Sequence, residues 1–113
     1  MLKFKILIKI FIKNNLLTPK YKIIRKLKDL NNRISENKFV IKPINEGSSF
    51  GVRIIEKLSN SKLKIIKNEL KKYKTLLQEN YIEGQEIQTA VLGGKVIGSV
   101  EIVPKRNFYD YKA

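Results

Sequence analysis

A chain of 113 residues with 42% apolar content is long enough to bury one modest core, as one domain or part of one. It holds no cysteine and no histidine, which excludes a disulfide framework, a thiolate metal site and imidazole acid-base chemistry. The formal charge of +14 has two readings: a surface for nucleic acid or an anionic membrane, or lysines scattered among Ile and Asn as solvated charge, with no Arg-rich patch or nucleic-acid motif beside them.

Along the amino-terminal run, Leu2, Phe4, Ile6, Ile8, Ile10 and Ile12 alternate as in a strand, while Lys5, Lys9 and Lys13 at four-residue spacing trace one stripe of a helix. Both elements stay open on these periods. The lysines interrupt the apolar stretch well short of the ~20 residues a membrane-spanning helix needs, and no small-residue cleavage site follows. Neither an anchor nor a leader is therefore expected, and the expected location is cytoplasmic. A basic amphipathic helix lying on a membrane surface is the alternative for this run. Asn14, Asn15 and Thr18-Pro19 end the element, because the residue before proline is pushed out of the helical region.

Ile23 and Ile24 predict a strand that gives way to an Asn-rich surface connection through Asn37. Phe39, Val40 and Ile41 predict a buried strand ending at Lys42-Pro43, followed by a loop from Ile44 to Gly51 and a strand from Val52 to Ile55. Asn60 and Ser61 suit a helix N-cap, and Leu63, Ile66, Leu70 and Tyr73 recur at helical spacing, so a helix is predicted from about Lys62 to Lys72. A further strand is expected from Leu76 towards Ile82. Two β runs, Ile87 to Leu92 and Val96 to Val103, flank Gly93-Gly94 and predict a hairpin whose turn needs positive φ. The expected fold class is α+β, a mainly antiparallel sheet with one or two packed helices, within a single domain over residues 1–113.

The chemistry concentrates at the end of the Phe39 strand. Lys42 precedes Glu46-Gly47-Ser48-Ser49-Phe50-Gly51, where glycines let backbone amides approach phosphate oxygens, serine hydroxyls add donors, and an ammonium offsets phosphate charge. No Gly-Lys-Ser/Thr follows, so this is not a Walker loop. On composition alone a phosphate site and an ordinary flexible turn fit equally.

Four blocks in order remove that tie: Phe39-Val40-Ile41-Lys42-Pro43; Glu46 to Val52; Glu79-Asn80-Tyr81-Ile82-Glu83-Gly84-Gln85-Glu86; and Glu101-Ile102-Val103-Pro104 with Phe108-Tyr109-Asp110-Tyr111. Together they resemble the D-alanine-D-alanine ligase family of the ATP-grasp superfamily, from about Leu16 onward. The resemblance implies a truncated central ATP-grasp subdomain, with Lys42 on the α- and β-phosphates of ATP and Ser48 and Ser49 at the tip of a loop closing over the γ-phosphate. Glu79, Asn80, Tyr81 and Ile82 would read adenine, Glu86 would accept from the ribose hydroxyls, and Lys3 would be a second nucleotide-binding lysine, although Leu2 stands where the family has an acid.

The family reaction implied is the ATP-dependent joining of two D-alanines through an acylphosphate, for peptidoglycan synthesis. Complete members are expected to be cytoplasmic homodimers that bind ATP, D-alanine and two magnesium or manganese ions, with no nucleic acid or membrane partner. The metal ligands, a transition-state arginine and the amino-terminal domain lie outside these 113 residues, and Lys112 stands where the family continues with an acid. The segment alone is thus expected to bind nucleotide without catalysing phosphoryl transfer. A non-enzymatic basic module that binds polyanions is the alternative.

Overall fold

The computed structural model describes the backbone of residues 2–44 and 51–103, and their side chains from residue 7 onward. The chain divides into two compact units, Met1–Tyr81 and Ile82–Ala113. Among the described residues every strand pairing is antiparallel, in keeping with the α+β expectation.

The first unit begins with helix α1, Leu2–Lys13, which decides between the two periods of that run in favour of the lysine stripe. Asn15 takes φ 59° just past the helix end. The Leu16 amide then donates to the Phe11 carbonyl at 2.9 Å and the Asn15 amide to Ile12 at 3.1 Å, which satisfies the last carbonyls. Among the described residues no helix is long and apolar enough to cross a membrane.

Strands β1 (Tyr21–Ile24), β2 (Phe39–Pro43), β3 (Arg53–Ile55) and β4 (Leu76–Asn80) form one sheet in the order β1-β4-β2-β3. Helix α2 (Asn32–Ser35) precedes β2, and helix α3 (Asn60–Tyr73) joins β3 to β4. Side chains alternate between faces, and Cα partners share a face, so the register sorts the sheet. One face carries the rows Ile24-Leu76-Pro43, Lys22-Gln78-Ile41-Arg53 and Asn80-Phe39-Ile55. This is the core face: Ile24, Phe39, Ile41, Ile55 and Leu76 cluster with Ile34 of α2 and Ile66 of α3, and Leu70 and Tyr73 pack on the same cluster.

Helix α3 starts two residues earlier than its spacing predicts. Ser59 rather than Asn60 or Ser61 is its cap, the Oγ accepting from the Lys62 amide at 3.3 Å. The predicted Asn-rich connection contains structure of its own. Leu27–Asp29 form a 3-10 turn, and Asn31 caps α2 by accepting from the Ile34 amide at 2.9 Å.

A fully buried polar side chain ties this segment to β4. Gln78, 0% exposed, accepts from the Asn31 amide at 2.8 Å and donates to Ser35 Oγ at 2.9 Å. Arg53 of β3 donates to buried Glu69 of α3 at 3.1 Å, a second clamp between helix and sheet.

The second unit contains the predicted hairpin, β5 (Glu86–Leu92) and β6 (Lys95–Ile102). Gly93 and Gly94 turn at φ 58° and 76°, the left-handed pair such a turn requires. The register also slips between Ala90 and Val91, leaving Ile97 as the extra residue of a bulge that alternation alone did not announce.

Two measurements test these contacts. Replacing Gln78 with Leu orphans the Asn31 amide and should lower the unfolding free energy by about 1–3 kcal/mol in urea titration; unchanged stability would show that the network contributes nothing. Asp29 Oδ2 accepts from the Arg25 and Lys26 amides at 3.0 and 3.2 Å. The Arg25 amide first, with the Lys26 amide and the Lys26 and Lys22 charges, holds the carboxyl below its ordinary 3.8 against a smaller opposing effect of burial. Its stabilisation is therefore present above pH 3.8 and lost as pH falls through the lower folded value. Asp29→Asn should flatten that acid limb of a stability-pH profile and leave neutral pH behaviour similar in slope.

Candidate functional site

The second face of the sheet carries the rows Tyr21-Glu79-Val40-Ile54 and Ile23-Leu77-Lys42. It follows from the β2 alternation: with Phe39, Ile41 and Pro43 turned into the core, Val40 and Lys42 must stand on the opposite side. Tyr21, Ile23, Val40, Ile54 and Lys42 are half-buried there. An ammonium thus stands beside a strip of partly covered aliphatic and aromatic surface, the composition that suits a flat base joined to an anionic tail.

Lys42 and Glu79 are diagonal neighbours on adjacent strands, since Val40 is the residue directly opposite Glu79. Their long side chains close the diagonal: Lys42 Nζ lies 2.6 Å from Glu79 Oε1, with 36% and 17% of the side chains exposed. The strand-end Lys42 and Glu79 therefore meet on one face.

The next two residues, Asn80 and Tyr81, are tied into the ladder through their backbone. The Asn80 amide donates to the Lys20 carbonyl at 3.0 Å and the Tyr81 amide to the Lys38 carbonyl at 3.2 Å. Lys38 Nζ also sits 4.0 Å from the centre of the Tyr81 ring and 3.2 Å from Glu56, a cation-π contact that holds the ring at the strand end. Neither Lys38 nor the core partner Gln78 was singled out from the sequence. A glutamine inside the apolar run Leu76-Leu77-Gln78 was the available signal for the latter, because a polar residue in a buried strand needs partners.

Ile82 and Glu86 belong to the second unit, where both are exposed and Glu86 opens β5. Lys3 lies in the first turn of α1 by its backbone. Ser48 and Ser49, with the rest of the loop tip, lie outside the described residues, as do Phe108, Tyr109, Asp110, Tyr111 and Lys112.

The end of that loop is described at Gly51. It has φ 74°, and a Cβ built there would lie 2.9 Å from Pro43 Cγ and 3.2 Å from the Tyr73 hydroxyl. The glycine closes the β2-β3 connection directly against the strand end that carries Lys42. A separate concavity of about 660 Å³, lined by Thr18, Lys20, Tyr21, Arg33 and Asn80 among others, excludes Lys42 and Glu79. Among the described residues no three carboxylates gather as metal ligands.

The chain belongs to the family described as D-ala D-ala ligase C-terminus, whose model matches residues 11–113. A D-alanine-D-alanine ligase of Pelagibacter ubique is 49% identical over 93% of this chain and 36% of its own length. The enzyme of that name from Wolbachia pipientis is 42% identical over 92% of this chain and 33% of its own. The chain thus spans about a third of the curated relatives it matches.

Among solved structures, a D-alanine-D-alanine ligase from Bacillus anthracis is 28% identical and aligns with a TM-score of 0.69 over 93% of this chain and 35% of that one. The same organism's enzyme complexed with ATP aligns at 0.64 and 26% identity, over 88% and 34%. The α+β sheet is accordingly the ATP-grasp fold in truncated form. These matches are ligases by name, and the alternative of a polyanion-binding module finds no support in them.

Gly51→Ala should lower the unfolding free energy by at least about 1 kcal/mol, since the left-handed backbone alone costs an L-residue that much before any clash with Pro43. Thermal melts matching those of the unaltered chain would show that the loop end is not anchored as described.

Proposed function

We propose that this chain is the ATP-binding piece of a D-alanine-D-alanine ligase, and that residues 1–113 act as one subdomain of it. Lys42 takes the α- and β-phosphates, Ser48 and Ser49 cover the γ-phosphate, and Lys3 supplies a further cation. The hinge from Glu79 to Ile82 reads adenine, and Glu86 accepts from the ribose hydroxyls. The observation that supports this reading is the Lys42-Glu79 contact at 2.6 Å, which sets those two side chains together on one sheet face.

As the family resemblance implies, the Ile82 amide donates to the adenine ring and a carboxylate or carbonyl of this segment accepts from the exocyclic amine; the Asn80 and Tyr81 amides are taken up by the Lys20 and Lys38 carbonyls. Val40 and Ile23, on the Lys42 face and half-buried, supply apolar contact for the base.

In the complete enzyme, ATP phosphorylates the carboxylate of one D-alanine, and the amine of a second displaces phosphate to give the dipeptide used in peptidoglycan. Magnesium or manganese would neutralise the transferring phosphoryl group there. This chain's part in that reading is to hold and orient the nucleotide, and it forms no dipeptide alone. The complete protein is cytoplasmic and homodimeric in this reading.

Calorimetry with ATP on the 113-residue chain tests it. Lys42→Ala should weaken binding by about tenfold or more, the size of one charge-assisted hydrogen bond. Lys95→Ala, on β6, serves as a control for general charge. Equal losses in the two variants would mean that ATP responds only to overall positive charge, and the reading would fall.

A further inference from the structure

At the end of the sheet where β1 begins and β4 ends lies the cavity of about 660 Å³, bordered by Ile12 of α1 and by helix α2. It is apart from the Lys42 face: Asn80, which lines it, shares its row with Phe39 on the core side of the sheet. Three charged side chains line it, Lys20, Arg33 and Glu36. Arg33 and Glu36 stand three residues apart along α2 and its cap, a spacing at which a helix lets opposite charges meet. Yet among the described residues neither they nor Lys20 closes an ion pair. We propose that this cavity binds a short peptide with both ends free, its carboxylate on Arg33 and Lys20 and its ammonium on Glu36.

The charges select the ligand. A guanidinium grips a carboxylate through two parallel N–H donors, whereas an ionised Glu36 only accepts and so suits an ammonium. A plain anion would be repelled by Glu36 and a plain cation by Lys20 and Arg33, which leaves a molecule carrying both signs. The Asn37 and Asn80 carboxamides each offer a donor and an acceptor, the complement of a peptide group. Ile12, Pro19 and Ile34 supply apolar wall for small side chains, and the volume is that of a small-ligand site.

The backbone of the cavity is fixed before any ligand arrives. The Asn80 amide donates to the Lys20 carbonyl at 3.0 Å, joining the start of β1 to the end of β4. The Asn31 amide donates to Gln78 at 2.8 Å while its side chain caps α2, and Ile34 is 3% exposed. Only the exposed side chains of Lys20, Arg33 and Glu36 are left to be ordered on binding, which keeps the entropic cost small.

Calorimetry on the 113-residue chain with L-alanyl-L-alanine, its N-acetyl form and its carboxy-terminal amide tests the assignment. Arg33→Gln and Glu36→Gln should each weaken the free dipeptide about tenfold, the size of one charge-assisted hydrogen bond. The Arg33→Gln loss should disappear with the amide, which has no carboxylate, and the Glu36→Gln loss with the N-acetyl form, which has no ammonium. Losses that persist with the blocked peptides, or that Lys95→Ala reproduces, would overturn the site. So would no binding by the unaltered chain at about 10 mM dipeptide. Nitrogen-15 NMR of the unaltered chain gives a check free of any substitution: the dipeptide should shift the Lys20, Ile34 and Asn80 amides and leave Lys42 in place, and shifts gathered elsewhere contradict the proposal. ATP should bind both variants as it binds the unaltered chain. A parallel loss of ATP affinity would merge the two sites and sink this one, whereas failure of ATP to bind at all counts only against the nucleotide reading.

Discussion

The two-residue alternation of β2 organises this molecule. Phe39 and Ile41, at 0% and 1% exposure, and the buried Pro43 anchor the strand to a core that also contains Ile24, Ile55 and Leu76. Burying those side chains removes apolar surface from water, and the pleat then leaves Lys42 no choice of face. A slip of one residue would carry the ammonium into the core and expose Phe39. Core packing and the placement of the candidate phosphate cation are thus a single constraint.

Polar clamps extend that constraint to β4. Gln78 faces the core side of β4 and is held by Asn31 and Ser35, so the next residue, Glu79, faces the other side beside Lys42. Arg53 and Glu69 do comparable work between β3 and α3. Backbone bonds from Asn80 and Tyr81 carry the ladder to the last residues of the first unit. The segment from Glu79 to Ile82 therefore straddles the division of the chain after Tyr81.

The +14 charge is better understood as a background than as a binding device. Its lysines are spread over α1, α3 and the strands, and Lys42, proposed for the α- and β-phosphates, is distinguished by its partner. An exposed lysine is a mobile, hydrated point charge. Lys42, at the end of a strand whose alternate residues are buried, is paired at 2.6 Å with a carboxylate on the neighbouring strand.

Much of the architecture was legible beforehand because it depends on local rules. A compact β-favouring run located β2, helical spacing located α3, and Gly93-Gly94 located the hairpin turn, since each is a local property of a few residues. The ordered blocks from Phe39 to Tyr111 likewise identified the family, as ordered motifs are a property of the chain itself. Three matters needed the folded chain. Competing periods in Leu2–Lys13 were decided as helix, a capped α2 appeared inside an Asn-rich connection, and the order β1-β4-β2-β3 set which strands are neighbours. That order brings position 42 against position 79, a contact no local pattern encodes, because it comes from the pairing of segments far apart in the chain.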